Sequence, residues 1–241
     1  MQITDYINNT VNRFQAGYVF TYTDFPISVE KTDAVLKALN RMVESGKLRK
    51  LSKGRYYKPK MTEFGELKPD INQVVKDLLE KDGKIQGYLT GYSAYNELGL
   101  TTQLSNTIQI GVNTEKKAIT RGMYKIKFIK QANRITKENS SLLRILDSIR
   151  YIKEIPDTTL DISCERIILL IKKLSPNVLN TLVKLSLNYT ASSRALTGAL
   201  IETACDSEVS QPIFESLNQA SNYKYKISDN TLTNKQKWNI Q

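Results

Sequence analysis

The sequence predicts an α+β protein in two parts: a small basic helix-and-hairpin domain over residues 1–61 and a larger α+β domain over residues 62–241. Three observations predict it. Apolar residues recur at helical steps over residues 2–14 and again over 34–43. A lysine- and arginine-rich stretch between residues 47 and 58 folds naturally about a glycine into a hairpin. Farther on, residues 107–112 and 123–129 alternate as strands do, and apolar helices follow from residue 138.

The first part reads in order. Ile3, Ile7, Val11 and Phe14 form one helical face, and Ala16-Gly17 ends that helix. Val19 to Tyr22 is β-prone, and Thr23 to Pro26 has room only for a short helix or turn. Ser28 is the expected N-cap of the next helix. There Val35, Leu39, Met42 and Val43, with Ala34 and Ala38, face inward, opposite Lys31, Thr32, Lys37, Asn40, Arg41 and Glu44. Gly46 stops this helix. Lys47 to Leu51 then pairs with Arg55 to Lys58 across Ser52-Lys53-Gly54, and Pro59 ends the hairpin. Tyr56 and Tyr57 adjoin in a strand and point to opposite faces, which gives no stacking platform for RNA bases. The order helix, short element, helix, basic hairpin is that of a winged helix-turn-helix.

In the second part, Thr62 to Pro69 reads as a connector, and Pro69-Asp70 opens a helix to about Glu80. Asp82-Gly83-Lys84 is a turn, and a short helix ends at Gly99. Gly87 and Gly91 lack the Gly-Lys-Ser/Thr ending of a phosphate-binding loop, so Gly91, Ala94 and Gly99 are expected to serve packing. In the strand at 123–129, Tyr124, Ile126 and Phe128 share one face and Lys125 and Lys127 the other. Helices are expected over 138–151, 165–174, 176–187, 191–204 and 209–217, forming a helical subdomain. Asp206-Ser207-Glu208 is expected to cap the last of these. A final strand is expected at 223–227, then a loose polar tail from Ser228 that contains Trp238.

Composition narrows the chemistry. With 40% apolar and 24% charged residues among 241, the chain folds. The absence of histidine excludes Ser-His-Asp and Cys-His catalysis and imidazole metal ligation. Cys164 and Cys205 are too few for a Cys₄ or Cys₂His₂ zinc site, so reduced, buried thiols are expected and no cofactor is implied. The start MQITDYINN carries an acid and no apolar core, and the longest aliphatic run, Ile167 to Ile171, falls far short of the roughly 20 residues of a membrane span. A soluble cytoplasmic protein is expected.

The net charge of +11 sits in two islands. Residues 31–60 hold ten basic side chains against Asp33 and Glu44. The second island, residues 115–137, holds Lys116, Lys117, Arg121, Lys125, Lys127, Lys130, Arg134 and Lys137 against Glu115 alone. The rest of the chain is mildly acidic. A helix fits the DNA major groove, where its polar residues reach base edges, while hairpin cations meet phosphates. The expected DNA-contacting set is therefore Ser28, Lys31, Thr32, Lys37, Asn40 and Arg41 on the helix, with Lys47, Arg49, Lys50, Lys53, Arg55 and Lys58 on the wing. Lys116, Lys117, Arg121, Lys125, Lys127 and Lys130 form a possible second face for nucleic acid or a partner.

The strings AVLKALNRMVESGKLRKLSKGRYYKP, GYLTGYSAYNELGLTTQ and TIQIGVN together resemble the AbiEi antitoxin family of bacterial abortive-infection, type IV toxin–antitoxin systems, over roughly residues 1–155. The resemblance implies a winged helix that binds promoter repeats and represses its own operon, and a C-terminal domain that counters a nucleotidyltransferase-like toxin. It implies double-stranded DNA and that toxin as partners, and assigns no catalytic residue. On an inverted repeat two copies are expected, from a monomer or weak dimer in solution. The alternatives are a stand-alone winged-helix regulator, a protein-docking module, and a metal-dependent nuclease using Pro69-Asp70 and Glu115-Lys116-Lys117. Against the last, Asp70 opens a helix instead of lying in a strand.

Overall fold

The computed structural model describes residues 3–205 and 207–241, a mixed α+β chain that divides into two compact units. The first comprises Met1–Leu78 and Thr120–Tyr124, the second Leu79–Ile119 and Lys125–Gln241. The first unit thus runs beyond the expected boundary at residue 61. Contacts made by its last helix explain why: Gln73 accepts from the Val19 amide, and Asp77 binds Arg55.

In the first unit, α1 (Ile3–Arg13) leads to β1 (Val19–Phe20) and a 3-10 turn at Tyr22–Asp24, which Thr21 and Asp24 close as a capping box. A second 3-10 turn, Val29–Lys31, precedes α2 (Thr32–Glu44). Ser28 is therefore not the α2 cap. Its side chain makes no capping bond, and its carbonyl instead accepts from the Lys31 amide. Val35, Ala38, Leu39 and Met42 of α2 pack on Ile7, Val11, Phe20, Leu48 and Tyr56. Ala34, expected inside, is exposed.

Strands β2 (Arg49–Ser52) and β3 (Arg55–Tyr57) turn at Lys53-Gly54, with Gly54 at φ +73°. β1 adds to β3 in antiparallel register, Val19 opposite Tyr57 and Phe20 opposite Tyr56, giving the order β1-β3-β2. The expected connector is a second hairpin, β4 (Lys60–Thr62) and β5 (Gly65–Leu67). Its strands have only three residues each and their side chains stay largely exposed, so no apolar alternation announces them. The helix expected from Asp70 is α3 (Ile71–Leu79), with Val74 and Val75 buried.

The second unit opens with a short hairpin, β6 (Glu80–Lys81) and β7 (Lys84–Ile85), turned by Asp82 and Gly83 with φ +52° and +72°, as a type I′ turn requires. β8 (Tyr88–Thr90), α4 (Tyr92–Glu97), β9 (Thr107–Val112) and, but for its first residue, β11 (Tyr124–Lys130) follow, while β10 (Ile119–Arg121) falls in the first unit but for Ile119. Sheet order is β10-β11-β9-β8. β9 and β11 run parallel, Ile108 opposite Ile126, while β8 is antiparallel to β9. Gly91 takes φ +62°, and a Cβ there would overlap the Gln109 side chain, so its role is close packing.

The helical part holds α5 (Ser140–Arg150), α6 (Leu160–Ile171), α7 (Pro176–Ser186), α8 (Ala191–Ala204) and α9 (Gln211–Glu215). α6 begins five residues before the expected start, capped by Thr159 through the Ile162 amide; Ile162 faces solvent, which hid that turn from an apolar-stripe reading. α8 is buried on most sides and forms the centre of the core.

Residues 223–227 do alternate in burial, but among the described residues their pairing is limited to one parallel bridge, Tyr223 to Ile240, carried by backbone bonds between 223–225 and 239–241. The alternation belongs to an extended segment laid on helices. The tail is also packed, not loose: Leu232, Trp238 and Ile240 are buried in the same core. Both cysteines are free, and burial pushes the Cys164 thiol up to about 12, helped by Asp161 and Glu165. The expected cap at Asp206 lies outside the described residues. No helix among the described residues is long and apolar enough to cross a membrane.

Candidate nucleic-acid interface

α2 presents Lys37, Asn40, Arg41 and Glu44 outward because its buried positions fall at three- and four-residue steps on the other side. Lys31 and Ser28, one turn before, are exposed and border a groove of about 330 Å³ with Ile3, Tyr6, Pro26 and Ile27. Thr32 is half-buried. Asn40 is fixed by the buried Tyr56, whose hydroxyl donates to its Oδ1 at 3.1 Å. On the wing, Lys50 and Lys53 are exposed. Lys31, Lys37, Arg41, Lys50 and Lys53 make no side-chain hydrogen bond or ion pair among the described residues.

The other wing cations are already engaged. Arg49 binds Glu66 through Nε and Nη2, both at 2.9 Å, and donates to the Gly46 carbonyl. Tyr57 donates to the same Glu66 at 3.3 Å; burial and the Glu66 charge hold its phenol above the ordinary value. Arg55 binds Asp77 at 2.8 Å. Lys47 donates to Asn8 and Lys58 to the Asn12 carbonyl. The carboxylates of β5 and α3 thus hold the two wing arginines, one on each strand.

Arg121 departs furthest from expectation. Counted in the second island, it is buried, 5% exposed in its side chain, and belongs to the first unit. Its two terminal nitrogens take both Asp77 oxygens, at 2.6 and 2.8 Å, and Nη1 also donates to the Val74 carbonyl. Burial pushes the Asp77 carboxyl upward, but Arg121 and Arg55 outweigh it and leave the group below its usual range. Lys116, Lys117, Lys125, Lys127 and Lys130 are exposed in the second unit, with Lys130 paired to Glu115 at 3.0 Å.

Sequence reasoning missed a polar cluster in the second unit. Asp147, on the buried face of α5, accepts from Tyr88 at 2.6 Å, Thr90 at 2.8 Å and Tyr189 at 2.8 Å. The Gln131 amide donates to both tyrosine hydroxyls, and its carbonyl accepts from Asn133. Burial raises Asp147 despite these donors, and raises both tyrosines. A signal existed: Asp147 stands four residues from Leu143 and beside Leu146, among the apolar positions of the helix. Among the described residues no three His, Cys, Asp or Glu side chains gather around a metal-sized space. Asp70 accepts from the amide and side chain of Asn72 at the start of α3.

The first unit is therefore a small helix-and-sheet module in which some cations on one helix and one hairpin have no side-chain partner among the described residues. The chain belongs to a protein family of unknown function (DUF6088), whose model matches residues 6–179. Among solved structures it is similar to the RV2827C protein from Mycobacterium tuberculosis, at 14% identity and a TM-score of 0.48, over 90% of this chain and 82% of that one. No curated protein matches.

Proposed function

We propose that the first unit is a winged helix-turn-helix that binds duplex DNA, and that the protein is a transcriptional autorepressor and antitoxin of the AbiEi kind, acting in the cytoplasm against a nucleotidyltransferase-like toxin. The observation that carries the DNA reading is the division among the cations. Lys31, Lys37 and Arg41 on the helix side and Lys50 and Lys53 on the hairpin are free for phosphates and base edges. Arg49 and Arg55 are committed to Glu66 and Asp77, so they shape the wing and do not contact DNA. The antitoxin half rests on the family resemblance over roughly residues 1–155, and the exposed lysines of β11 offer a further face.

Fluorescence anisotropy with the protein's own upstream DNA and random duplex tests the reading. Lys37→Ala with Arg41→Ala is expected to reduce discrimination, since a base contact is worth about 1–3 kcal/mol. Lys50→Ala with Lys53→Ala is expected to weaken both duplexes alike and flatten the log–log salt slope by roughly 0.9 per lost phosphate contact. Equal affinity of the wild type for both duplexes at moderate salt defeats the repressor reading. Co-expression with the neighbouring open reading frame, scored by growth, tests the antitoxin half.

Glu66 supplies a second, opposite-signed prediction. Glu66→Gln removes the charge that neutralises Arg49, so duplex affinity is expected to rise a few-fold and the salt slope to steepen by up to about one unit. Weaker binding would show that Arg49 must be held in place by the carboxylate for the wing to dock.

A further inference from the structure

The second unit has a half-open cavity of about 240 Å³ that the DNA reading does not use, walled by Lys130, Gln131, Arg150, Asn188, Tyr189 and Thr190. These come from the end of β11, the end of α5 and the turn between α7 and α8. Among the described residues no carboxylate lines it. Its floor is fully engaged inward. Tyr189 donates to Asp147, Gln131 donates to Tyr88 and Tyr189, and the Asn188 amide donates to Asn133 at 2.7 Å. A network satisfied in this way is rigid, and both Asp147 oxygens are taken up by three hydroxyl donors.

What remains for a ligand is cationic. Among the described residues the Arg150 side chain makes no hydrogen bond or ion pair: it has the Tyr151 ring 5.0 Å away and feels the charge of the buried Asp147, while Lys130 has the exposed Glu115. A cation would be repelled here, and an apolar molecule would leave two charges desolvated. An oxyanion meets both needs, and guanidinium recognises phosphate oxygens through paired hydrogen bonds. The volume lies below the roughly 300–1,000 Å³ of drug-sized sites, which suits a phosphate head with the rest of the molecule projecting outward. We propose that this cavity binds the phosphate monoester of a small molecule, held by Arg150 and Lys130 over the Gln131–Tyr189 floor. Tyr189 of the lining, raised by burial and by the Asp147 charge behind it, is the kind of perturbed group that accompanies binding cavities.

Calorimetry on the full chain with inorganic phosphate, ribose 5-phosphate and adenosine 5′-monophosphate tests this. Saturable one-to-one binding is expected for at least one of them, and binding of the two esters should tighten as pH rises through about 6, where their second phosphate proton leaves. Equal affinities would identify the phosphate group alone as the ligand; a preference among the three identifies the attached sugar or base. Arg150→Ala is expected to weaken binding about tenfold or more, as is Lys130→Gln, while Glu115→Gln strengthens it by releasing Lys130. Lys127→Ala, outside the cavity, should change nothing. If Arg150→Ala does not keep the wild-type melting temperature, Lys130→Gln decides. No binding by any of the three compounds overturns the proposal, as does equal weakening by Lys127→Ala, which would mean diffuse attraction to a positively charged chain.

Discussion

Trp238→Ala is expected to remove about 3–5 kcal/mol of stability, the range for truncating a large aromatic in a packed core. Trp238 is 1% exposed although it stands only three residues before Gln241. Its ring lies over Gly198 of α8, where a Cβ would overlap ring carbons, and meets Phe214 edge-on at 5.4 Å. Its indole N–H donates to Glu202 at 2.6 Å, and Lys237 and Asn234 bind the same carboxylate. Truncation would open a cavity beside α8 and leave Glu202 with fewer donors. Trp238→Phe keeps much of the volume and loses the hydrogen bond, so an intermediate loss is expected. Urea unfolding followed by far-ultraviolet circular dichroism reads both variants, since the only tryptophan cannot serve as a probe once replaced. An unchanged midpoint in Trp238→Ala would mean that the tail does not hold the helical core.

That tail marks where sequence reading stops. Regular elements with a strong period were legible: α2, α5, α7, α8, β9 and β11 lie close to where spacing put them, because three- and two-residue periodicities record a buried face directly. Residues 228–241 carry no such period. Leu232, Trp238 and Ile240 are isolated apolar residues among polar ones, and the shape of the core, including a glycine at position 198, together with the Tyr223–Ile240 bridge gives them a place. The β4–β5 hairpin escaped for a related reason, since its side chains pack little and its order comes from backbone pairing.

The candidate interface was legible as a charge excess and not as a set of available charges. Composition counts Arg49, Arg55 and Arg121 equally with Lys50 and Lys53, yet each of the three arginines is paired with a carboxylate 17, 22 or 44 residues away. Pairings at that separation depend on tertiary structure. The polar cluster around Asp147 was equally hidden, because its donors come from β8 and the turn before α8.

The Asp77 site is where that hidden pairing has the largest expected consequence. Asp77→Ala would leave the Arg121 guanidinium buried with the Val74 carbonyl as its remaining partner, and an uncompensated buried charge costs about 3–5 kcal/mol. Arg121→Met should cost less, because Asp77 is half-exposed and keeps Arg55. The double variant Asp77→Ala/Arg121→Met is expected to recover part of the single Asp77 loss, since no charge is then stranded; strict additivity would argue that the two residues act independently. The pH dependence has a definite sign. The Asp77 carboxyl sits below its ordinary value of 3.8 in the folded chain, so the unfolded chain binds the proton more tightly. Its stabilising contribution is therefore complete above that ordinary value and is lost as pH falls through the lower folded value. The gap between wild type and Asp77→Ala should be widest near neutrality and shrink below about pH 4. Thermal unfolding of the pair across that range checks it, and a gap that widened on acidification would mean that Asp77 is not the group holding Arg121.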